Sequence, residues 1–317
     1  MWNKVWGKTL RSQMIRYNIL IICIIDIFIN MCAYMSSSRK IMEVAHTSLE
    51  HHVESISNQY QMAYHEMLNI TLNCTEREVI NLDTLNGMNT SKTKHRGLEY
   101  AQIIRDYCSI TEYGKYISKL IIFDNRGNMV QAGSLFGSND DMERVSTADW
   151  LEEDCEKPME MYRLQLVEAP FFQQDGKILP IARKISRHQN TSNVYTVLCL
   201  SASLFRDVLQ ENDSEHEILV ATGSGQKIAS IGDLEEDAAE NDALITEILN
   251  KGIDKGIDTM KVHGRKCLVS YEIYAPSGIL VCEIMPLDEL LNDRLILIET
   301  VGIMFFASLF FGIVLSL

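Results

Sequence analysis

The sequence predicts an α+β protein. A long N-terminal helix leads into two tandem modules, each an antiparallel sheet with helices, and two membrane-spanning helices flank the whole. Three observations predict this. Apolar runs lie at both ends of the chain; a helical period free of proline and glycine persists from Ser37 to about Leu72; and β-runs with turn signals then recur twice in the same order.

Residues 1–16 carry Lys4, Lys8, Arg11 and Arg16 and no acid. Tyr17 to Met35 is 19 residues, about 28 Å as a helix, and Leu295 to Leu317 is 23 residues, about 34 Å. Either length crosses a hydrocarbon core. The basic lead predicts a cytoplasmic N-terminus, residues 36–294 extracellular, and a second helix returning to the cytosol. A signal peptide cut near Ser36 or Ser38 is the competing reading. Asp26 speaks against it, because an acid at mid-membrane costs roughly 2.5–3.5 kcal/mol and usually faces a partner. Cys23, Asp26 and Asn30 share one helical face, as a contact with another membrane helix would require, for instance across a homodimer; an acid tolerated in a tilted helix is the alternative. The chain stops inside the apolar run "SLFFGIVLSL", so truncation in or after the second membrane helix is expected.

Composition excludes several classes. The net charge of −14 over 317 residues, with no basic patch carrying interleaved aromatics, excludes nucleic acid as a partner. Eight cysteines occur without a CxxC pair, two of them, Cys23 and Cys32, in the first apolar run; the six others are expected as free buried thiols, with disulfide pairing in an oxidising compartment the alternative, and neither metal nor cofactor is expected. "GSGQK" at 223–227 lacks phosphate-loop spacing, and there is no GxSxG or HExxH, so no catalytic residue is expected. His51 and His52 are adjacent on a helix, a poor arrangement for ligation, and His188, His216 and His263 are scattered along the chain.

The elements follow in order. Residues 36–75 read as a stalk or spine helix, with apolar positions at Ile41, Val44, Leu49, Val53, Ile56, Tyr60, Ala63, Tyr64 and Leu68. Residues 76–202 form the membrane-distal module. In it 81–96 is a loop, 98–110 a helix, 116–134 two β-runs around "DNRGN", and 146–157 a short capped helix. Three strands complete that module, "MYRLQLVEA", "GKILPIARKIS" and "NVYTVLCLSAS". Strand pair, helix, then three antiparallel strands is a PAS-like order. Residues 203–294 repeat it more briefly. A connecting helix, "SLFRDVLQE", precedes a strand–turn–strand, the helix "DALITEILNKG", and three strands from 258 to 284. This membrane-proximal module is expected to transmit, with short strands and few convergent polar groups.

With "LIIFDNRGNMV", "STADWLEE" and "ILPIARKI" in this order, the chain resembles the double Cache (dCache) sensor region of a bacterial receptor. The opening "LRSQMIRYNILII" is most similar to sensor histidine kinases of Firmicutes-type bacteria. The resemblance implies two PAS-like Cache modules, a homodimer at the cell membrane, a small-molecule ligand in the distal module, and a cytoplasmic response regulator reached through a kinase beyond Leu317. In the amino-acid-binding subset of the family an Arg stands two residues before the Trp and a Tyr after it; here Ala148 and Leu151 take those places, so that pattern is broken. Trp150 is the candidate anchor over a ligand, or a core tryptophan. Tyr162, Arg163 and Arg183 lie on strands expected to line the cavity, where an inward guanidinium grips a carboxylate and an outward one is a solvated charge. Asp124 can receive an amine or start a turn. The rival functions are the input domain of a chemoreceptor or diguanylate cyclase, and a membrane-anchored binding protein that does not signal.

Overall fold

The computed structural model describes residues 10–76, 112–124, 129–133, 165–168, 177–186, 193–212, 216–232, 238–288, 299–307 and 310–311, with single positions 102, 105, 106, 109, 151 and 290. The chain divides into two compact units. One gathers Met1–Leu49, Thr259–Leu268 and Met285–Leu317; the other comprises Glu50–Asp258 and Val269–Ile284.

Helix α1 runs unbroken from Leu10 to Glu76, joining the first apolar run and the spine expected after it. Most of the expected spine positions are covered; Ile41 and Leu68 are half-buried and one position is exposed. Leu49, Val53, Ile56, Tyr60, Ala63, Tyr64, Met67 and Ile70 are buried, whereas Val44 is 58% exposed and the adjacent Ala45 is covered instead. A step of one residue turns a side chain about 100° around a helix, so Val44 falls just off the covered stripe. Gln102, Arg105, Asp106 and Ser109 are helical, within the run expected to be a helix; the loop expected at 81–96 lies outside the described residues.

Two five-stranded antiparallel sheets follow. The first consists of β1 (Ile117–Asp124), β2 (Met129–Gly133), β3 (Val167–Glu168), β4 (Lys177–Ser186) and β5 (Asn193–Ser201), in the order β2-β1-β5-β4-β3. β3 is shorter than the strand expected at 161–169, since Gln165 and Leu166 are not in strand and 161–164 and 169 lie outside the described residues. The second consists of β6 (Glu217–Ala221), β7 (Lys227–Ile231), β8 (Lys255–Val262), β9 (Arg265–Tyr274) and β10 (Ile279–Pro286), in the order β7-β6-β10-β9-β8. Counting within each set, both sheets place their strands as second, first, fifth, fourth, third. Helix α2 (Ser203–Glu211) links them, and α3 (Ala238–Asn250) precedes β8. The β8–β9 turn is His263-Gly264, both at positive φ (50° and 72°), which suits a two-residue hairpin.

One expectation fails here. Strands β8, β9 and β10 run 8, 10 and 8 residues. They match β1, β4 and β5 in length; the apolar β10 is buried at seven consecutive positions and β9 at five, while β8 is the more exposed strand at the edge.

A single apolar cluster unites these elements within the larger unit. It takes Val53, Ile56, Tyr60, Tyr64 and Met67 from α1, residues of the three inner strands β1, β5 and β4 of the first sheet, Phe205 from α2, and Ile218, Val220, Ile279 and Val281 from the second sheet. Tyr60 stands where these meet: its ring lies 4.8 Å from that of Phe205, and its hydroxyl donates to the Phe205 carbonyl at 2.8 Å. Burial raises the Tyr60 phenol well above its ordinary pKa. It therefore stays a donor at any physiological pH.

Candidate functional site

Register sorts the first sheet into two faces, because alternate residues point opposite ways. Arg183 of β4 pairs with Thr196 of β5, which pairs with Ile122 of β1; one step along, Ile185 pairs with Val194 and Val194 with Asp124. Positions 183 and 124 are therefore on one face, roughly 12 Å apart from strand spacing and rise. Arg183 is half-buried. Thr196 between them is fully buried, and its Oγ1 has no hydrogen-bond partner among the described residues. Such a group normally finds one, so the hydroxyl beside this guanidinium is polar bonding capacity left over in a buried place.

The other face carries Lys119, Ile121 and Phe123 of β1, beside Cys199, Val197 and Tyr195 of β5. The Phe123 and Tyr195 rings stack at 5.1 Å, and the Lys184 ammonium lies 5.9 Å over Tyr195. Lys119 is fully buried next to Cys199. Burial pushes the Cys199 thiol up to about 12, with the Lys119 charge pulling weakly the other way. That thiol is inert at neutral pH.

Of the predicted site residues, Arg183 and Asp124 come to one face. Trp150, Tyr162 and Arg163 lie outside the described residues. Leu151, next to Trp150, is helical and 2% exposed. The backbone N–H of Leu166, three residues after Arg163, donates to Gln226 Oε1 at 3.1 Å, which ties the approach to β3 to the β6–β7 turn of the second sheet. That turn is fixed from within: Thr222 N–H donates to the Gln226 carbonyl at 2.8 Å, and Gln226 N–H donates to Thr222 Oγ1 at 3.1 Å.

The second sheet corrects the expectation of few convergent polar groups. On the face toward α1, Glu283 of β10 receives His52 Nδ1 at 2.8 Å and His216 Nδ1 at 2.9 Å. Ser57 donates to Glu272 of β9 at 3.1 Å, and the Tyr274 hydroxyl meets His65 Nε2 at 2.7 Å. Of the histidines that look scattered along the chain, His216 is thus brought by packing to the carboxylate that His52 also meets. The only sequence signal for it is that positions 52, 56 and 60 share one stripe of α1. Across the sheet, Lys251 pairs with Asp258 at 2.7 Å beneath Tyr271, whose phenol is raised by burial and then by the Asp258 charge. No group of three or more potential metal ligands in coordinating geometry occurs among the described residues. Among the described residues Cys199 and Cys282 are free and buried, and Cys267 is buried as well.

No protein-family model and no curated protein matches the sequence. Solved structures do match. The chain is similar to the extracellular domain of rpHK1S-Z16, assigned as a histidine kinase, at 12% identity with TM-score 0.55, covering 79% of this chain and 98% of that one. It is similar to the sensory domain of the Campylobacter jejuni chemoreceptor Tlp3 with isoleucine bound, at 10% identity with TM-score 0.58, covering 80% and 97%. The ligand-binding domain of the Pseudomonas fluorescens chemoreceptor CtaA, in complex with L-isoleucine, matches at 12% identity with TM-score 0.53, covering 81% and 98%. The chain has the fold of dCache-type extracytoplasmic sensor domains.

Proposed function

We propose that the chain is the ligand-sensing and transmembrane-signalling part of a sensor histidine kinase. In this reading residues 36–294 are extracellular, held between membrane helices at 17–35 and 295–317. A small molecule binds the first sheet, the chain works as a homodimer, and a cytoplasmic response regulator receives the signal. The observation that carries the reading is the buried polar patch on the first sheet, set in a fold that solved sensor domains share. Arg183 supplies a cation, Thr196 an unused hydroxyl, and position 124 an acid, an arrangement suited to a small ligand with an anionic end. The isoleucine found in two similar structures has that character, although the broken Ala148/Leu151 pattern points to a different head group for this chain.

The membrane reading draws on exposure. Leu20, Ile21, Ile24, Ile25, Ile27, Phe28, Ile29 and Met31 are each at least half exposed, and they surround α1; Ile303, Met304, Phe306, Phe310 and Phe311 are likewise exposed. Apolar side chains on every side of a helix suit lipid better than water. Among the described residues no helix is long and apolar enough to cross a membrane. Both runs include positions whose side chains, or whole residues, fall outside that description. A chemoreceptor is the second reading, favoured by the likeness to two chemoreceptor domains.

The test is thermal melting of the whole chain in detergent against a panel of small anionic and zwitterionic metabolites. A ligand raises the melting temperature in the unaltered chain and has no effect on Arg183→Ala. A flat response across the panel would overturn the small-molecule reading. Glycosylation-site or cysteine-accessibility mapping of residues 36–294 in intact cells tests the topology.

A further inference from the structure

Glu283 is 1% exposed, and each of its carboxylate oxygens is taken by a different histidine: Oε2 by His52 Nδ1 at 2.8 Å and Oε1 by His216 Nδ1 at 2.9 Å. An ionised carboxylate only accepts, so each ring carries a hydrogen on Nδ1 and donates it. The three residues come from α1, from the segment entering β6, and from β10. They are 231 and 67 positions apart in sequence.

We propose that this triad is a register lock, a conformational device that fixes α1 against β10 at one axial position, so that displacement of α1 is delivered to β10. The argument starts from how helices slip. The apolar stripe of α1 repeats Leu49, Val53, Ile56, Tyr60 and Ala63 at steps of three and four. Such a stripe is nearly self-similar under a shift of one turn, about 5.4 Å. Apolar packing alone therefore sets the register weakly. The lock breaks that degeneracy. A one-turn shift puts Ser48 or Ile56 where His52 stands, and a buried carboxylate then loses its imidazole donor from α1.

The surrounding polar groups on this face agree on the same register. Ser57 reaches Glu272 at 3.1 Å and His65 reaches Tyr274 at 2.7 Å, both on β9. Lys255, at the start of β8, reaches Glu50 at 3.2 Å and Glu54 at 3.1 Å. Apart from buried Ser57 those groups are open to solvent or half-buried, whereas Glu283 is a sealed carboxylate and has the most to lose. His216 adds the second function of the lock: it holds the carboxylate from the β6 side, so Glu283 cannot follow His52 by rotating away. The device is independent of which ligand the first sheet takes, and it goes beyond the sensing role proposed above.

Amide hydrogen exchange on the whole chain in detergent tests it, read over α1 residues 50–60 and β10 residues 279–284. With the lock present, His52→Ala raises exchange in both segments by about tenfold, the worth of a lost bond to a buried charge. His52→Ala with Glu283→Ala exceeds Glu283→Ala alone by less than twofold, on the non-additivity of directly bonded pairs. If His52→Ala loosens α1 and leaves β10 unchanged, or if the two effects multiply, the lock is wrong. Should Glu283→Ala fail to fold, Glu283→Gln takes its place. The amide accepts from one ring and donates to the other, keeping the shape without the charge, and the same comparison with His52→Gln decides. Nitrogen-15 spectra of the unaltered chain supply an independent readout. Both rings are expected as Nδ1–H tautomers, and Nε2–H tautomers at both would also sink the proposal.

Discussion

The two sheets share a strand order and differ in what they bury. The first encloses cations and an orphan hydroxyl: Lys119 is fully buried on one face, while Arg183 and Thr196 share the other. The second encloses an acid that the protein itself has already satisfied, with Glu283 bonded on both oxygens. The same topology thus carries an unpartnered buried hydroxyl on the first sheet and, on the second, a carboxylate bonded on both oxygens, beside which Glu272 of β9 keeps one oxygen without a hydrogen bond among the described residues. Spare polar capacity suits a binding site, because a ligand can supply the missing partners; a saturated network suits a joint, because it resists rearrangement. On the function proposed above, that contrast would put sensing on the first sheet and transmission on the second.

The largest way to break the comparison is to attack what both sheets share. Tyr60→Ala removes a fully packed ring and its bond to the Phe205 carbonyl. It should cost about 3–5 kcal/mol by denaturant titration. Because one apolar cluster runs through both sheets, fluorescence and circular dichroism should report a single shifted transition; separate transitions would show that the sheets fold independently. Next in size is Glu283→Leu, which leaves His52 and His216 without their acceptor. A loss of about 2–3 kcal/mol is expected, with no change in the melting shift that a ligand of the first sheet produces.

A smaller effect, of opposite sign, sharpens the contrast. Thr196→Val exchanges an unpartnered buried hydroxyl for a methyl group. Chemical melting of the ligand-free chain should show it neutral or stabilised by up to about 1 kcal/mol, while the ligand-induced shift falls. Destabilisation would mean that the hydroxyl is already satisfied. The smallest difference concerns the thiols. Cys199 and Cys282, one in each sheet, are both pushed from 9.0 to about 12 by burial. Folding therefore holds protons that the unfolded chain gives up, and this contribution is complete below pH 9.0 and is lost as pH rises toward about 12. Both should resist iodoacetamide at pH 8.5 in the native protein and react at similar rates once unfolded; fast labelling of one would show its sheet to be open.

Much of the architecture was legible in the sequence. "SLFRDVLQE" is helix α2 to the residue, "APSG" at 275–278 is the turn between β9 and β10, and β1 and β2 pair antiparallel on either side of 125–128. Local chemistry decides such features: a helix of nine residues with four buried apolar positions, or a turn rich in glycine, asparagine and proline, needs little help from elsewhere. The site was legible only in part. Arg183 and Asp124 were named singly, and nothing in their spacing of 59 residues put them on one face; the registers of β1 on β5 and of β5 on β4 did that. Thr196 was overlooked, because a threonine in a strand has no signature until its hydroxyl is seen to lack a partner.

By itself, the sequence determined the helical spine, the repeated order of strands and helices, the apolar ends, the acidic charge and the absence of metal and catalytic motifs. Each follows from periodicity or composition, which act within a few residues of one another. Only the tertiary structure decided that His52, His216 and Glu283 form one network, that Val44 rather than Ala45 faces outward, and that the second sheet is as long-stranded as the first. These depend on strand register and helix rotation, quantities set by packing between segments up to 231 residues apart, where local sequence carries no record of the partner.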